Sequence, residues 1–274
     1  FARAALMLPS PFRDLPGPAC ALPDTGPREG AAAVYFPSCV TRVLGASRDG
    51  GEPTPLARTI VEVAARAGMR LFIPRDVAGT CCGMPFSSKG FEEAHAIAAN
   101  RAIERTWRWS DAGRLPVVVD TSPCAFSLAT CRDALTEANR ERFDALRIQD
   151  AALWAHDTLL PVLPIRRRVE RVALHPTCSV VKLGLTAKLA AVLRVCASEV
   201  VVPLAAGCCG FAGDRGFTHP ELTDAATRAE ALELAAGPPC EFHVSSSRTC
   251  ELGMTRATGQ AFVSFWEVLD AASR

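Results

Sequence analysis

The residues of this 274-residue chain best suited to chemistry are two copies of one tripeptide, Cys81-Cys82-Gly83 and Cys208-Cys209-Gly210. Adjacent cysteines are poorly placed to bridge one another, because a disulfide needs its two α-carbons at a particular separation and orientation. Two neighbouring thiolates do suit a polynuclear metal centre, where each side chain reaches a different metal atom. The glycine that follows removes a Cβ and lets the backbone approach a bulky group. Single cysteines recur around both copies in matching words. Pro37-Ser38-Cys39 is answered by Pro176-Thr177-Cys178. Cys124 follows Cys82 by 42 positions, and Cys250 follows Cys209 by 41. Lys89-Gly90-Phe91 is answered by Arg215-Gly216-Phe217.

Each half therefore supplies four thiols: Cys39, Cys81, Cys82 and Cys124 in the first, Cys178, Cys208, Cys209 and Cys250 in the second. Four is the number that a 4Fe–4S cluster or a structural zinc requires. Zinc sites usually draw on Cys-x-x-Cys knuckles, which fix a tetrahedral corner. Here the pairs are adjacent and the other ligands single, which favours a cluster whose irons are spread in space. Such a centre carries negative charge, and Lys89 and Arg215 stand where they could offset it. The alternative for both is an ordinary surface cation. The remaining Cys20, Cys131, Cys196 and Cys240 have no counterparts and read as buried free thiols.

The bulk properties exclude several classes of function. The net charge is +1, so no electrostatic case exists for nucleic acid or an anionic membrane. No apolar run approaches the roughly 18 residues of a membrane span. No secretory signal is visible. Twelve cysteines in a long, well-patterned chain point to a reducing compartment rather than to a disulfide scaffold. The expected location is the cytoplasm, or the periphery of the inner membrane. Because the chain begins with Phe1, it reads as a fragment of a longer polypeptide.

The elements that must position the cysteines form a duplicated pattern. Residues 1–30 are rich in Pro, Gly and Arg and read as a linker or extended arm, and a Gly-rich loop is expected over 45–51. In the first repeat, 31–140, apolar strands are expected over 31–36, 69–73 and 117–120. Helices are expected over 56–67, 91–110 and 125–140. A connecting segment spans 141–170, with a short amphipathic piece at Leu153-Trp154 and a basic Arg166-Arg167-Arg168 run expected to be solvated surface. The second repeat, 171–274, has strands over 172–175, 200–202 and 241–244. Its helices are expected over 182–195 and 220–234 and after Cys250, and its C-terminal segment over 262–269 is apolar. Each half is thus β-α-β-α-β, with continuous apolar strands of the kind buried in a mainly parallel sheet. The cysteines fall just past the C-terminal strand ends, where open α/β sheets bind ligands.

This pattern resembles the cysteine-rich CCG domain found in heterodisulfide reductase, in anaerobic glycerol-3-phosphate dehydrogenase, and in glycolate and lactate oxidation systems. The resemblance covers about residues 31–274. The stretch Ser246-Ser247-Arg248-Thr249-Cys250-Glu251-Leu252-Gly253-Met254, with Ala257-Thr258-Gly259, looks most like the C-terminal iron–sulfur region of FAD-linked D-lactate dehydrogenases. It implies one or two 4Fe–4S clusters held by the eight matched cysteines, in the electron-transfer part of a flavin-dependent D-2-hydroxy-acid dehydrogenase. It also implies an FAD-binding oxidase region and a ferredoxin-like module as partners, and a quinone or cytochrome as acceptor. In heterodisulfide reductase the third motif is Cys-x-x-Cys, which gives five thiolates and a non-cubane cluster. Here its first position is Thr121 in one half and Ser247 in the other, so electron transfer is favoured over disulfide cleavage. The rival readings are a thiol–disulfide or heterodisulfide reductase component and a zinc-stabilised interaction module. No Gly-x-Gly-x-x-Gly loop and no Ser/His/Asp grouping stands out, so substrate oxidation is not expected within this chain. His175 and His243 end strands near the cysteines and read as hydrogen-bonded structural histidines.

Overall fold

A computed structural model describes residues 16–45 and 55–274. The expected arm's residues 1–15 and the expected loop's residues 46–51 lie outside the described residues. Two four-stranded sheets, all parallel, carry the molecule. The first contains β1 (Ala33–Phe36), β2 (Leu71–Phe72), β3 (Val117–Val119) and β4 (Ile148–Asp150), in the order β2-β1-β3-β4. The second contains β5 (Val169–Leu174), β6 (Ala197–Val201), β7 (Phe242–Ser245) and β8 (Phe262–Ser264), in the order β6-β5-β7-β8. The two orders are the same. The first strand of each half sits inside, and the chain crosses it to place the third strand on its other side. That reversal opens a crevice between β1 and β3, and another between β5 and β7, at the carboxyl ends of the strands.

The helices follow from capping and apolar periodicity. In the first half they are α1 (Cys39–Val43), α2 (Leu56–Arg66), α3 (Met84–Ser87), α4 (Glu92–Trp109), α5 (Ser122–Ala129), α6 (Glu137–Ala145) and α7 (Ala151–Trp154). In the second they are α8 (Cys178–Lys182), α9 (Thr186–Cys196), α10 (Arg215–Thr218), α11 (Pro220–Ala236), α12 (Arg248–Thr258) and α13 (Phe265–Ser273). α2 buries Ile60, Val63 and Ala64 on one face and is closed by Gly68 at a φ of 72°.

Several elements depart from the sequence reading. The expected helix over 125–140 is two helices separated by a short 3-10 turn, because Thr136 is extended and starts α6 afresh. The helix expected over 182–195 is broken at Gly184, whose φ of 69° ends α8. Each half has a fourth strand, β4 and β8, which the three-strand reading lacked; β4 falls within the expected connecting segment. The Arg166–Arg168 run is not merely solvated. Arg167 donates to the Ala271 carbonyl at 2.8 Å and Arg168 to the Arg194 carbonyl at 2.7 Å, so both satisfy carbonyls at helix ends. The described part of the arm is tied to the first half: Ala19 N–H donates to Val43 O and Ile73 N–H to Thr25 Oγ1.

The halves pack about an approximate two-fold axis into one core. α13, which follows β8, lies on α2 of the other half, and α7, which follows β4, lies against α9. Trp154 of α7 and Trp266 of α13 meet near the axis with ring centroids 6.3 Å apart. Both indoles are fully buried, and burial of this size contributes on the order of 3 kcal/mol each. The same symmetry relates the cysteine-bearing helices. α5 packs on α8, and α12 on α1. Ser122 N–H donates to Ser246 O at the junction, and their hydroxyls are 2.9 Å apart.

Candidate metal centre

Three strand ends deliver the thiols of each half. β1 passes through Pro37 into Ser38, which caps α1 by accepting from Thr41 N–H, and Cys39 is the first residue of that helix. β5 does the same through Pro176 and Thr177, which accepts from Val180 N–H and sets Cys178 at the start of α8. β3 runs into Thr121 and α5, where Cys124 sits in the first turn, and β7 runs into Ser247 and α12, where Cys250 does. The double cysteines follow β2 and β6 in loops held by Gly83 and Gly210, with φ of 86° and 68°. Only glycine takes this conformation without strain. Each of these glycines donates its N–H to the first thiol of its pair, at 3.4 Å.

The result is two rings of four sulfurs. Cys39, Cys81, Cys82 and Cys124 face one another and perturb each other's ionisation. Cys178, Cys208, Cys209 and Cys250 do likewise. Cys209 donates to Cys250 with the sulfurs 3.0 Å apart. The proton distribution at the double cysteines matches between halves, whereas neighbouring thiols push Cys124 up and Cys209 and His175 pull Cys250 down to about 6. Hydrogen bonds from Cys39 and Cys82 pull the Cys81 thiol down to about 2, and those from Cys178 and Cys209 pull Cys208 down to about 2. The second thiol of each pair moves the other way. Cys82 is pulled down by Cys124, but donation to Cys81 and burial outweigh this and push it up to about 12. Donation to Cys208 and Cys250, together with burial, pushes Cys209 up. Four thiols crowded in this way share protons that a metal would displace. The donor chemistry of both rings fits a bound metal centre. All twelve cysteines are unbridged.

Access is also alike in the two rings. Cys82, Cys124, Cys209 and Cys250 are buried, whereas Cys178 and Cys208 are exposed and Cys39 and Cys81 half-buried. Each ring thus has a protein side and an open side. The remaining cysteines belong to neither. Cys131 and Cys196 are buried as expected. Cys20 is exposed and Cys240 half-buried, because one lies on the surface arm and the other follows Pro238-Pro239.

The charged groups differ from expectation. Lys89 reaches across the junction to Asp214 at 2.8 Å, and Arg215 opens α10 at the surface. The cation whose charge acts on Cys39 and Cys81 is Arg42. It lies one turn along α1 from Cys39 and donates to the carbonyls of Pro37, Val77 and Thr80, the last being the residue before the double cysteine. Its place three residues beyond Cys39 was the available signal. In the second half the neighbouring group is His175, whose Nδ1 faces the carboxylate of Glu230 on α11. Burial alone would lower this imidazole; the Cys250 thiol and Glu230 outweigh it and push it up to about 9. His243 stacks beside Phe262 with centroids 5.3 Å apart. The hydroxyls at the two absent cysteine positions are engaged elsewhere. Thr121 Oγ1 is 2.8 Å from Ser38 Oγ, and Ser247 Oγ is 3.3 Å from Thr249 Oγ1.

Two duplicated α/β units with four thiols gathered at each switch point define a cysteine-rich class of protein. The chain belongs to the CCG cysteine-rich domain family, which matches it twice, over residues 33–129 and 172–255. It is 25% identical over 183 residues to a subunit of the anaerobic glycerol-3-phosphate dehydrogenase of Escherichia coli strain K12, covering 65% of this chain and 46% of that protein. The same values hold for the corresponding protein of Escherichia coli O157:H7. The chain therefore spans about half the length of the curated relatives it matches. Among the described residues, no helix is long and apolar enough to cross a membrane.

Proposed function

We propose that this chain is the iron–sulfur electron-transfer region of a flavin-dependent D-2-hydroxy-acid dehydrogenase, with D-lactate as substrate. The observation that carries the reading is the pair of matching four-thiol rings, each open on one side. The similarity to a dehydrogenase subunit supports the oxidoreductase class. The resemblance of 246–259 to FAD-linked D-lactate dehydrogenases favours lactate over glycerol 3-phosphate. Cys39, Cys81, Cys82 and Cys124 would hold one 4Fe–4S cluster, and Cys178, Cys208, Cys209 and Cys250 a second. A cluster of this type supplies one-electron transfer. The chain's own residues hold each thiol ring at a strand end and bury its inner sulfurs away from water. They leave Cys178 and Cys208 facing solvent, where a donor or acceptor protein can approach. In this reading, substrate is oxidised at an FAD in a separate region or polypeptide, and a quinone or cytochrome is the final acceptor. The location would be cytoplasmic or peripheral at the inner membrane.

Iron and acid-labile sulfide, measured after anaerobic reconstitution and combined with EPR, test the metal. Zinc as the sole metal would sink the reading. Cys82→Ser and Cys209→Ser should each remove about half of the iron. Loss of all iron from either single change would instead indicate one centre shared between halves. With the partner flavoprotein present, D-lactate should reduce the clusters and glycerol 3-phosphate should not; the reverse outcome would reassign the substrate.

A further inference from the structure

His175 is 1% exposed at the end of β5, and Glu230, its partner on α11, is 2% exposed. Nδ1 stands 2.9 and 2.8 Å from the two carboxylate oxygens. A carboxylate accepts only, so Nδ1 carries the hydrogen and the ring is fixed in tautomer and orientation. The other nitrogen, Nε2, is buried and has no hydrogen-bond partner. Leaving such a group unpaired in the interior is unfavourable. A ring nitrogen of His175 and the sulfurs of Cys209 and Cys250 all lie within 4.8 Å of one another. With Nδ1 turned to Glu230, that nitrogen is Nε2. Three donor atoms at this spread leave room for a metal atom between them. A carboxylate behind a histidine whose second nitrogen faces a metal is a recurrent ligand arrangement.

The first half lacks this group. Its word is Phe36-Pro37-Ser38-Cys39 where the second reads His175-Pro176-Thr177-Cys178. Phe36 is buried and packs edge-on against Trp109, with centroids 5.5 Å apart. A phenyl ring cannot ligate. We infer that His175, oriented by Glu230, is a ligand through Nε2 to the metal of the second ring, so that the first centre is bound by thiolates alone and the second by thiolates and one imidazole. The inference rests on the electron-transfer reading above and deepens it. A 4Fe–4S centre has four irons, so the imidazole takes the place of one of the four thiolates of this ring, and that exchange raises the reduction potential. The second centre is then the more readily reduced of the two, and the pair of rings has a direction.

Pulsed EPR on the reduced full chain, grown with 15N-histidine, tests the assignment. Wild type should show one nitrogen coupled with the strength of direct bonding to iron. His175→Phe, which copies the first half, should abolish that coupling and lower the midpoint potential of one signal while leaving the other in place. The wild-type measurement stands even if the variant loses its second centre. Iron present without such a nitrogen overturns the inference and leaves the electron-transfer reading intact. A coupling that persists in His175→Phe also overturns it. If the chain takes up no iron at all, the electron-transfer reading falls. Co2+ absorption spectra then decide the ligand: identical spectra for wild type and His175→Phe overturn it, and a shift of the ligand-field bands on losing the imidazole supports it.

Discussion

The double-cysteine loop of the second half predicts an outcome that separates steric closeness from backbone strain. Gly210 lies at a φ of 68°, and a Cβ added there would stand 2.7 Å from Leu222 O and 2.8 Å from Ala226 Cβ, both on α11. Gly213, three residues on, has a φ of 75° with nothing within 4 Å of an added Cβ. Gly213→Ala therefore carries left-handed strain alone, about 1–2 kcal/mol. Gly210→Ala carries the same strain plus an overpacking cost of about 1–3 kcal/mol, because the backbone of α11 cannot yield as a flexible side chain would. For a chain of this size each kcal/mol moves Tm by roughly 2–4 °C. Thermal unfolding of the reduced, metal-free chain should place Gly210→Ala below Gly213→Ala by several degrees. Iron content gives the functional readout. Displacing the loop from α11 shifts Cys208 and Cys209 relative to Cys250, so Gly210→Ala should lose the second centre's share of iron while Gly213→Ala retains it. Equal Tm values, or full iron in Gly210→Ala, would refute the claim that α11 sets the position of this loop.

Arg42→Lys keeps the charge but cannot span the carbonyls of Pro37, Val77 and Thr80, so roughly half of the iron should be lost, from the first centre, as read by iron per chain. Asp150 gives a pH test: burial pushes its carboxyl up to about 6, against about 3.9 unfolded, so folding favours its protonated form. Stability is therefore highest below the unfolded value and falls as pH rises through 6, by on the order of 3 kcal/mol. Asp150→Asn keeps an acceptor for Ala152 N–H and should gain stability over wild type in urea titrations at pH 7, with the gain vanishing near pH 4.

The cysteine frame was legible because it was written twice, and because thiols at strand ends have few other uses. The strands β1, β3, β5 and β7 were legible as apolar runs, being buried on both faces. β4 was not, since Ile148-Gln149-Asp150 is three residues long, mixed in polarity and half-buried at the sheet edge. β8 was hidden in a longer apolar segment whose remainder is helix. Position in sequence also misled on charge. Lys89 and Arg215 follow the double cysteines at matching places along the chain, but Lys89 is taken up by Asp214. Arg42 is brought to the first ring by a helix that begins at another cysteine. Glu230 looked like one more acid on an amphipathic helix, and only the fold, in which α11 packs on α12, turns it toward His175.

Those two residues also explain why a duplicated frame need not give two identical centres. The approximate two-fold fixes what both halves share: strand order, capped Ser38 and Thr177, and a glycine after each double cysteine. Each shared feature places a sulfur. The groups that differ lie one layer further out, where the symmetry imposes nothing on side-chain type. Arg42 bears on the first ring through charge, without a sulfur hydrogen bond of its own. His175 bears on the second through an unpaired ring nitrogen. Packing of α5 on α8 and of α12 on α1 makes the two rings neighbours across the junction. Neighbouring sites with different outer groups can have different potentials while keeping one scaffold, which is the condition for moving electrons one way through a symmetric pair.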